Sequence, residues 1–124
     1  MTKLGIALRK IRLERQELLK DMAEKLKVSS AFLSAVETGK KKPPANFVDK
    51  ICDVYRFDEN QRNDLNLAAD LSMQEMKINL AGASLAQHQV ALSFAKALNN
   101  LTDEEISEIM CVFEKRNKKR GGSN

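Results

Sequence analysis

Two short helical patterns separated by a tight corner, over residues 18–44, constrain the fold of this chain more than any other feature. Apolar residues recur at positions 18, 19, 22, 23 and 26, which is the spacing of a helix and not the alternation of a strand. Lys27 and Val28 form the corner, and Ser29 offers a hydroxyl that can cap a second helix. Gly39 stands where a left-handed residue ends that helix, and three lysines follow it. The stretch therefore predicts two helices joined by a turn and followed by a basic loop.

The second of these helices has one side without bulk. Phe32, Leu33 and Val36 have helical spacing and give it an apolar side. Its remaining positions are small and carry no acid, so the helix can lie close to another surface. They are Ser30, Ala31, Ser34 and Ala35.

These residues resemble the helix-turn-helix of the Cro/CI-type, or Xre-type, bacterial and phage regulators. The resemblance covers roughly the first 57 residues and rests on residues at fixed spacing, which are Leu8, Arg9, Arg12, Met22, Ala23, Glu24, Lys25, Leu26, Val28, Ser29, Leu33, Ser34, Glu37, Gly39 and Pro43. It implies a five-helix, lambda-repressor-like DNA-binding domain that occupies double-stranded operator DNA as a two-fold dimer. It also implies a bacterial or phage-encoded protein of the cytoplasm.

By family position, the second helix should face the floor of the major groove. The expected base and groove contacts are Ser30, Ala31, Phe32, Ser34 and Ala35. Phe32 lies at the edge of this face, where it either packs against its own domain or contacts DNA. None of these side chains is a bidentate reader of guanine or adenine, so direct readout should be modest and DNA shape should supply much of the specificity.

Five cations are the expected phosphate contacts, and they are Arg9, Lys20, Lys40, Lys41 and Lys42. For the lysine run we favour phosphate contacts over an ordinary solvated turn, although such contacts position a protein without specifying a sequence. The chain departs from the family at Leu18 and Leu19, where a polar residue usually grips a phosphate. Backbone N–H groups at that helix N-terminus could still bind one.

The resemblance further implies an ion pair between Arg12 and Glu37, which would brace a helix at the start of the domain, around Arg12, against the small-residue helix that contains Glu37. We interpret both residues as structural. Removing one partner of a partly buried pair of this kind costs roughly 3 to 5 kcal/mol.

The charge of the chain is divided into three parts. The net charge of +4 arises from +6 in residues 1–57, −6 in residues 58–113 and +4 in residues 114–124. A basic first part suggests a polyanionic partner, and an acidic middle suggests a different role. The two cysteines and one histidine give no zinc-binding pattern, so we expect buried free thiols and no metal.

Other function classes lack their signatures in this sequence. There is no glycine-rich phosphate loop and no nucleophile–histidine arrangement, so we expect neither an enzyme nor a cofactor. No apolar run approaches the ~20 residues of a membrane span, and the first residues lack a signal-peptide core.

The expected DNA-binding domain covers residues 1–71. In it Pro43 and Pro44 end the basic loop and start a fourth helix, and Asp58 and Gln61 cap a fifth. Residues 72–124 form an extension with a basic tail. In it Met76, Ile78 and Leu80 alternate with polar residues, which suits either one short strand or an extended linker. Capping boxes at Ser84 and Thr102 then predict a helical hairpin over residues 84–118. The predicted fold is all-α apart from that strand.

The hairpin has apolar faces that either enlarge the core or bind a partner, and we favour dimerisation. The candidate interface residues are Ile78, Leu80, Phe94, Leu98, Ile106, Ile109, Met110 and Phe113. Two functions follow. The chain is either a dimeric transcriptional repressor, of host or prophage origin, or an antitoxin whose residues 72–124 neutralise a protein toxin while its first domain represses its own operon.

Overall fold

The protein is described by a computed structural model over residues 1–121. These residues form seven α-helices, one 3-10 turn (Leu98–Asn100) and no strand, which confirms the predicted all-α class. The helices are α1 (Lys3–Arg15), α2 (Leu19–Lys25), α3 (Ser30–Glu37), α4 (Phe47–Tyr55), α5 (Glu59–Leu71), α6 (Leu85–Ala97) and α7 (Asp103–Gly121). The last three residues of the predicted basic tail lie outside the described residues. The chain divides into two compact units, Met1–Met76 and a second that begins at Lys77.

Side-chain caps fix where most of the helices begin. The Thr2 hydroxyl accepts from the Gly5 N–H at the start of α1, and the Ser29 hydroxyl accepts from the Phe32 N–H at the start of α3. Such a bond satisfies one of the four N–H groups that a helix N-terminus leaves free. Reciprocal capping boxes begin the later helices, and they join Asp58 to Gln61, Ser84 to Gln87, and Thr102 to Glu105.

The first unit has one apolar core, to which all five of its helices contribute. Helix α1 packs on α3 and α5, α2 packs on α3, and α4 packs on α5. The buried apolar residues are Leu4, Leu8, Met22, Ala23, Leu26, Leu33, Val36, Phe47, Ile51, Cys52, Tyr55 and Leu65. The core therefore holds α2 and α3 rigidly while their remaining faces point to solvent.

Helix α1 approaches the end of α3 very closely at Gly5. A Cβ atom built on Gly5 would lie 2.2 Å from the Glu37 carbonyl oxygen. The same carbonyl accepts from the Thr2 N–H at 3.0 Å and from the Thr2 hydroxyl at 3.1 Å. Only a residue without a side chain fits here, which explains a glycine inside a helix despite its cost of about 1 kcal/mol relative to alanine.

The start of α4 differs from the prediction. We expected Pro43 and Pro44 to begin this helix, but it begins at Phe47. The Phe47 N–H donates to the Pro44 carbonyl at 3.0 Å, which closes a turn before the helix. The first α-helical hydrogen bond of α4 runs from the Lys50 N–H to the Asn46 carbonyl.

The segment around residues 74–80 is irregular in the single chain, as the linker alternative predicts, and it forms no strand there. A single strand cannot satisfy its own backbone groups, and no described residue pairs with this one. Its end is a turn in which the Ala83 N–H donates to the Leu80 carbonyl and Gly82 has a φ of 78°. Before the linker, the Ser72 hydroxyl accepts from the Leu4 N–H at 2.8 Å and so ties the end of α5 to α1.

The second unit contains the two predicted helices, but it has no core of its own within the described residues. From Lys77 to Lys119 no residue is buried. The candidate interface residues Ile78, Phe94, Leu98, Ile106, Met110 and Phe113 are exposed, and Leu80 and Ile109 are half-buried.

Candidate nucleic-acid interface

Helices α2 and α3 form the helix-turn-helix, and the corner between them has a left-handed residue. Lys27 has a φ of 58°, which is unusual for a residue with a side chain. The Val28 N–H donates to the Ala23 carbonyl at 3.0 Å, which closes the end of α2. Leu26 and Leu33 are fully buried on either side of the corner. The angle between the two helices is thus fixed by buried side chains.

The outward face of α3 has the character expected of a groove-binding helix. Ser30, Ala31 and Ser34 are exposed, and Ala35 is half-buried. Leu33, Val36 and Glu37 occupy the opposite, buried side. The four side chains on the outward face are no larger than serine, so the backbone of α3 can approach another surface closely.

Phe32 is placed differently from its four neighbours. It is half-buried and packs against the core. The Lys41 ammonium lies 5.5 Å from the centroid of its ring, within the range of a cation–π contact. One face of Phe32 therefore supports a lysine of the basic loop, and only the remaining part of its side chain is accessible.

The basic loop is anchored to the end of α3. Gly39 has a φ of 82°, and the N–H groups of Lys40 and Lys41 both donate to the Ala35 carbonyl, at 2.8 and 3.1 Å. This arrangement occupies a carbonyl that a helix C-terminus would otherwise leave free. Lys40, Lys41 and Lys42 are all exposed. Three cations are thus held next to the outward face of α3.

The other two predicted phosphate contacts, Arg9 and Lys20, are also exposed. Lys20 lies in the first turn of α2, whose N-cap residue Leu18 makes no side-chain capping bond. Instead, the Asp21 carboxylate accepts from the Leu18 N–H at 2.8 Å. This role of Asp21 was not predicted from the sequence, and it places an acid in the first turn of α2. Lys20 is thus the exposed cation at this end of α2.

Arg12 and Glu37 form the expected ion pair between α1 and α3. The two terminal nitrogens of the Arg12 guanidinium, Nη1 and Nη2, donate to the two oxygens of the Glu37 carboxylate, and both residues are buried. Arg12 Nη1 also lies 3.4 Å from the Met22 sulfur. The pair ties α1 to the end of α3 and takes no part in the exposed surface.

A second polar cluster joins the ends of α1, α2 and α4. The Tyr55 hydroxyl donates to Glu17 Oε2 at 3.2 Å, and the Lys25 ammonium lies 3.0 Å from the same oxygen. The Arg15 guanidinium lies 5.1 Å from the Tyr55 ring centroid. Burial, followed by the Glu17 charge, raises the pKa of Tyr55 to about 12. Arg15 and Lys25 are therefore engaged in contacts within the domain.

Sequence reasoning missed Gly5, Thr2 as a partner of the Glu37 carbonyl, and the Glu17 cluster. A glycine inside an otherwise helical pattern is a signal that could have indicated a close approach of backbones. The Glu17 cluster carries no such local signal, because its members are far apart in the sequence. Within residues 1–121, no group of three or more His, Cys, Asp or Glu side chains is placed to bind a metal ion. None of the helices in that range is long and apolar enough to cross a bilayer.

A helix with an exposed face of small residues, packed on a preceding short helix and followed by exposed lysines, is the arrangement of a helix-turn-helix DNA-binding domain. A family model described as a helix-turn-helix domain matches residues 3–65, just over half of the chain. The chain belongs to this family, and its first unit is a DNA-binding domain. No match was found among curated proteins or among solved structures.

Proposed function

We propose that the protein is a sequence-specific transcriptional repressor of the Cro/CI, or Xre, type. It binds a double-stranded promoter operator as a dimer, in the cytoplasm of its host, and represses its own gene. The observation that carries the proposal is the outward face of α3, where Ser30, Ala31 and Ser34 are exposed next to three exposed lysines. A repressor of this kind acts by occupying the operator and needs no catalytic group.

In the proposed complex, α3 lies in the major groove. Ser30 and Ser34 can donate to or accept from base edges, and Ala31 and Ala35 can contact thymine methyl groups. These contacts discriminate weakly, so sequence-dependent shape and deformability of the DNA supply part of the specificity. The accessible part of Phe32 contacts the edge of the groove, while its ring face supports Lys41.

Phosphate contacts hold the domain in register. Lys40, Lys41 and Lys42 reach one DNA strand from the end of α3, and Arg9 and Lys20 are further contacts from α1 and α2. Each cation that neutralises a phosphate releases condensed counterions, so the affinity should fall steeply with salt.

The test of the phosphate assignment is a triple variant, Lys40→Ala, Lys41→Ala and Lys42→Ala. We expect it to weaken binding to specific and non-specific DNA about equally. The slope of log K against log salt should decrease by about 0.9 for each lost contact. The matched control removes the same charge from exposed positions outside the domain, with Lys77, Lys96 and Lys115 replaced by alanine. Loss of affinity for the operator alone, or an equal loss in the control, would contradict the assignment.

A second variant tests the groove assignment. Ala31→Glu places a bulky acid on the exposed face of α3, where it would meet the negative potential of the groove. Operator binding should be abolished while far-ultraviolet circular dichroism stays unchanged. If the variant still protects the DNA upstream of its own gene in a footprint, α3 is not the groove helix.

The antitoxin function is a second candidate, and the absence of buried residues in the described part of the second unit supports it. No described residue from Lys77 onward is buried, so this part of the chain needs a partner to complete its core. In the repressor this partner is a second copy, whereas in the antitoxin a protein toxin also covers the candidate interface. The two functions differ in whether a neighbouring gene encodes a toxic protein whose co-expression with this chain restores growth.

A further inference from the structure

Helix α7 combines an apolar stripe with a separation of charge along its length. Ile106, Ile109, Met110 and Phe113 recur at i, i+3, i+4 and i+7 and so lie on one face of the helix. Three of them are exposed and Ile109 is half-buried. Acids fill the first turn, whereas Lys115, Arg116, Lys118 and Lys119 fill the described part of the last turns.

The charges next to this stripe are arranged in two matched pairs. Glu105 and Arg116 are 11 residues apart, which is about three turns, so both lie along one edge of the stripe. Asp103 and Lys118 are 15 residues apart, slightly more than four turns, so both lie on the other side of the stripe, with Lys118 about 60° further round the helix than Asp103. Glu114 lies on that side too, and in the arrangement below it would face the uncharged Ser107 of the other copy. The midpoint of each pair falls between residues 110 and 111. One crossing point therefore serves both edges.

We propose that α7 pairs with the α7 of a second copy of this chain in antiparallel orientation, with the two helices crossing beside Met110. A two-fold axis at that point places Glu105 opposite the Arg116 position of the other copy, and Asp103 opposite its Lys118 position. The apolar stripes then cover each other. This inference rests on the dimer in the proposed function and specifies how that dimer forms.

Charge selects both the orientation and the occupant. A parallel pair would place the acidic first turns of both copies side by side, with Asp103 near Glu105 of the other copy, and would do the same with the basic last turns, which is unfavourable at both ends. A helix that matches α7 must place basic residues beside its acidic N-terminal turn, an apolar stripe beside its middle and acidic residues beside its basic C-terminal turns. A second α7 in antiparallel orientation meets all three conditions. The charge of the helix ends also suits the helix macrodipole. The dipole, however, does not require the acids and bases to share the edges of the apolar face.

One edge residue has a second role that is compatible with pairing. Glu105 Oε1 accepts from the Thr102 N–H at 3.0 Å in the capping box. The other carboxylate oxygen takes no part in that bond and can accept from an arginine. The test therefore begins with the basic end of α7, where substitutions leave the capping box untouched.

The lead variant carries Arg116→Glu and Lys118→Glu, and its self-association is measured in the full chain by sedimentation equilibrium without DNA. Because all four edge pairs of the dimer become repulsive, we expect the dimer Kd to rise about tenfold or more. The matched control, Lys115→Glu with Lys119→Glu, makes the same charge change. Lys115 lies on the far face and Lys119 would lie opposite the uncharged Thr102, so the control should keep the wild-type Kd.

Restoration is the decisive arm of the test. Adding Asp103→Lys and Glu105→Lys to the lead variant exchanges the two ends, and only an antiparallel pair regains opposite charges on both edges. If circular dichroism shows that helicity is retained, this variant should recover self-association to within about threefold of the wild-type Kd, whereas the lead variant stays about tenfold or more above it. A parallel pair would stay repulsive.

Spin-label distances provide an independent measurement. The expectation of buried thiols is confirmed for Cys52 but wrong for Cys111, which is exposed. A nitroxide can therefore be placed on Cys111 alone. In an antiparallel pair, labels on Cys111 lie beside the crossing point. Labels at position 104, in a Glu104→Cys and Cys111→Ser variant, lie about 20 Å further apart along the helix axes. Equal distances at the two positions would overturn the proposal.

These measurements involve no DNA, so they can refute the α7 pairing without refuting the proposed DNA binding. A wild-type chain that is monomeric at tens of micromolar, or a control that dissociates as much as the lead variant, overturns the α7 pairing. The lysine variants of the basic loop decide DNA binding independently.

Discussion

The buried ion pair between Arg12 and Glu37 makes a prediction that can be worked out from the structure. Only 8% of Arg12 and 3% of Glu37 is exposed to solvent. Glu37→Leu leaves the guanidinium buried without a counter-charge, and Arg12→Met leaves the carboxylate in the same state. Each single variant should lose roughly 3 to 5 kcal/mol of unfolding free energy, because an unpaired charge is kept from water.

The double variant should be much less destabilised than the sum of the two. With both charges gone, the site is filled by apolar side chains of similar volume, and replacements of this kind are often close to neutral. We expect a loss below about 2 kcal/mol, so the coupling free energy between the two positions should exceed about 4 kcal/mol.

Urea unfolding followed by circular dichroism measures all four corners of this cycle. At an m-value of about 1 to 3 kcal/mol per molar, a single variant should unfold at a midpoint roughly 1 to 5 M lower, and its native baseline can be recovered with an osmolyte. The surface pair of Arg62 and Asp49, at 2.7 Å, is the control, and Asp49→Asn should cost less than about 1 kcal/mol. Singles that lose less than about 1 kcal/mol, or a double equal to their sum, would refute the buried-pair reasoning.

Three further predictions concern the same domain. Gly5→Ala should lower the free energy of unfolding by about 2 kcal/mol, measured in urea, because the new Cβ would meet the Glu37 carbonyl. An unchanged free energy would show that α1 can shift away from that carbonyl. Lys27→Gly should stabilise by about 0.5 to 1 kcal/mol in the same assay, because glycine adopts a positive φ without strain; a loss would mean that the lysine side chain packs favourably. Since the pKa of Tyr55 is raised from 10 to about 12, the unfolded state loses this proton first, and stability should fall by about 2 kcal/mol as the pH rises from about 10 to 12. The chain has a single tyrosine, so near-ultraviolet absorbance follows this titration directly, and Tyr55→Phe should remove that part of the pH dependence.

The helix boundaries that the sequence predicted well are those set by local bonds. Thr2, Ser29, Asp58, Ser84 and Thr102 each cap a helix through a backbone N–H three residues further along the chain. A bond over three residues is determined by the residues between its ends, so the sequence alone indicates it. The predicted start of α4 was wrong because no side-chain cap of this kind marks where that helix begins.

The candidate site was predictable as a surface but not as a set of contacts. The small residues of α3 and the lysine run are visible in the sequence because helical periodicity separates the buried side from the exposed one. That Lys41 lies over Phe32, and that Asp21 accepts the Leu18 N–H, depends on the path of the chain around the ends of α2 and α3.

The sequence by itself therefore determined the helices, their caps and the unequal faces of α3, since these depend on neighbours within one or two turns. Only the tertiary structure decided the contact of Gly5 with the Glu37 carbonyl and the engagement of Glu17 by Tyr55 and Lys25. It also decided that the alternating segment before Leu80 is a linker. The physical reason is the same in each case: a close approach, a buried hydrogen bond or a strand needs a partner from a distant part of the chain, and local pattern does not specify that partner.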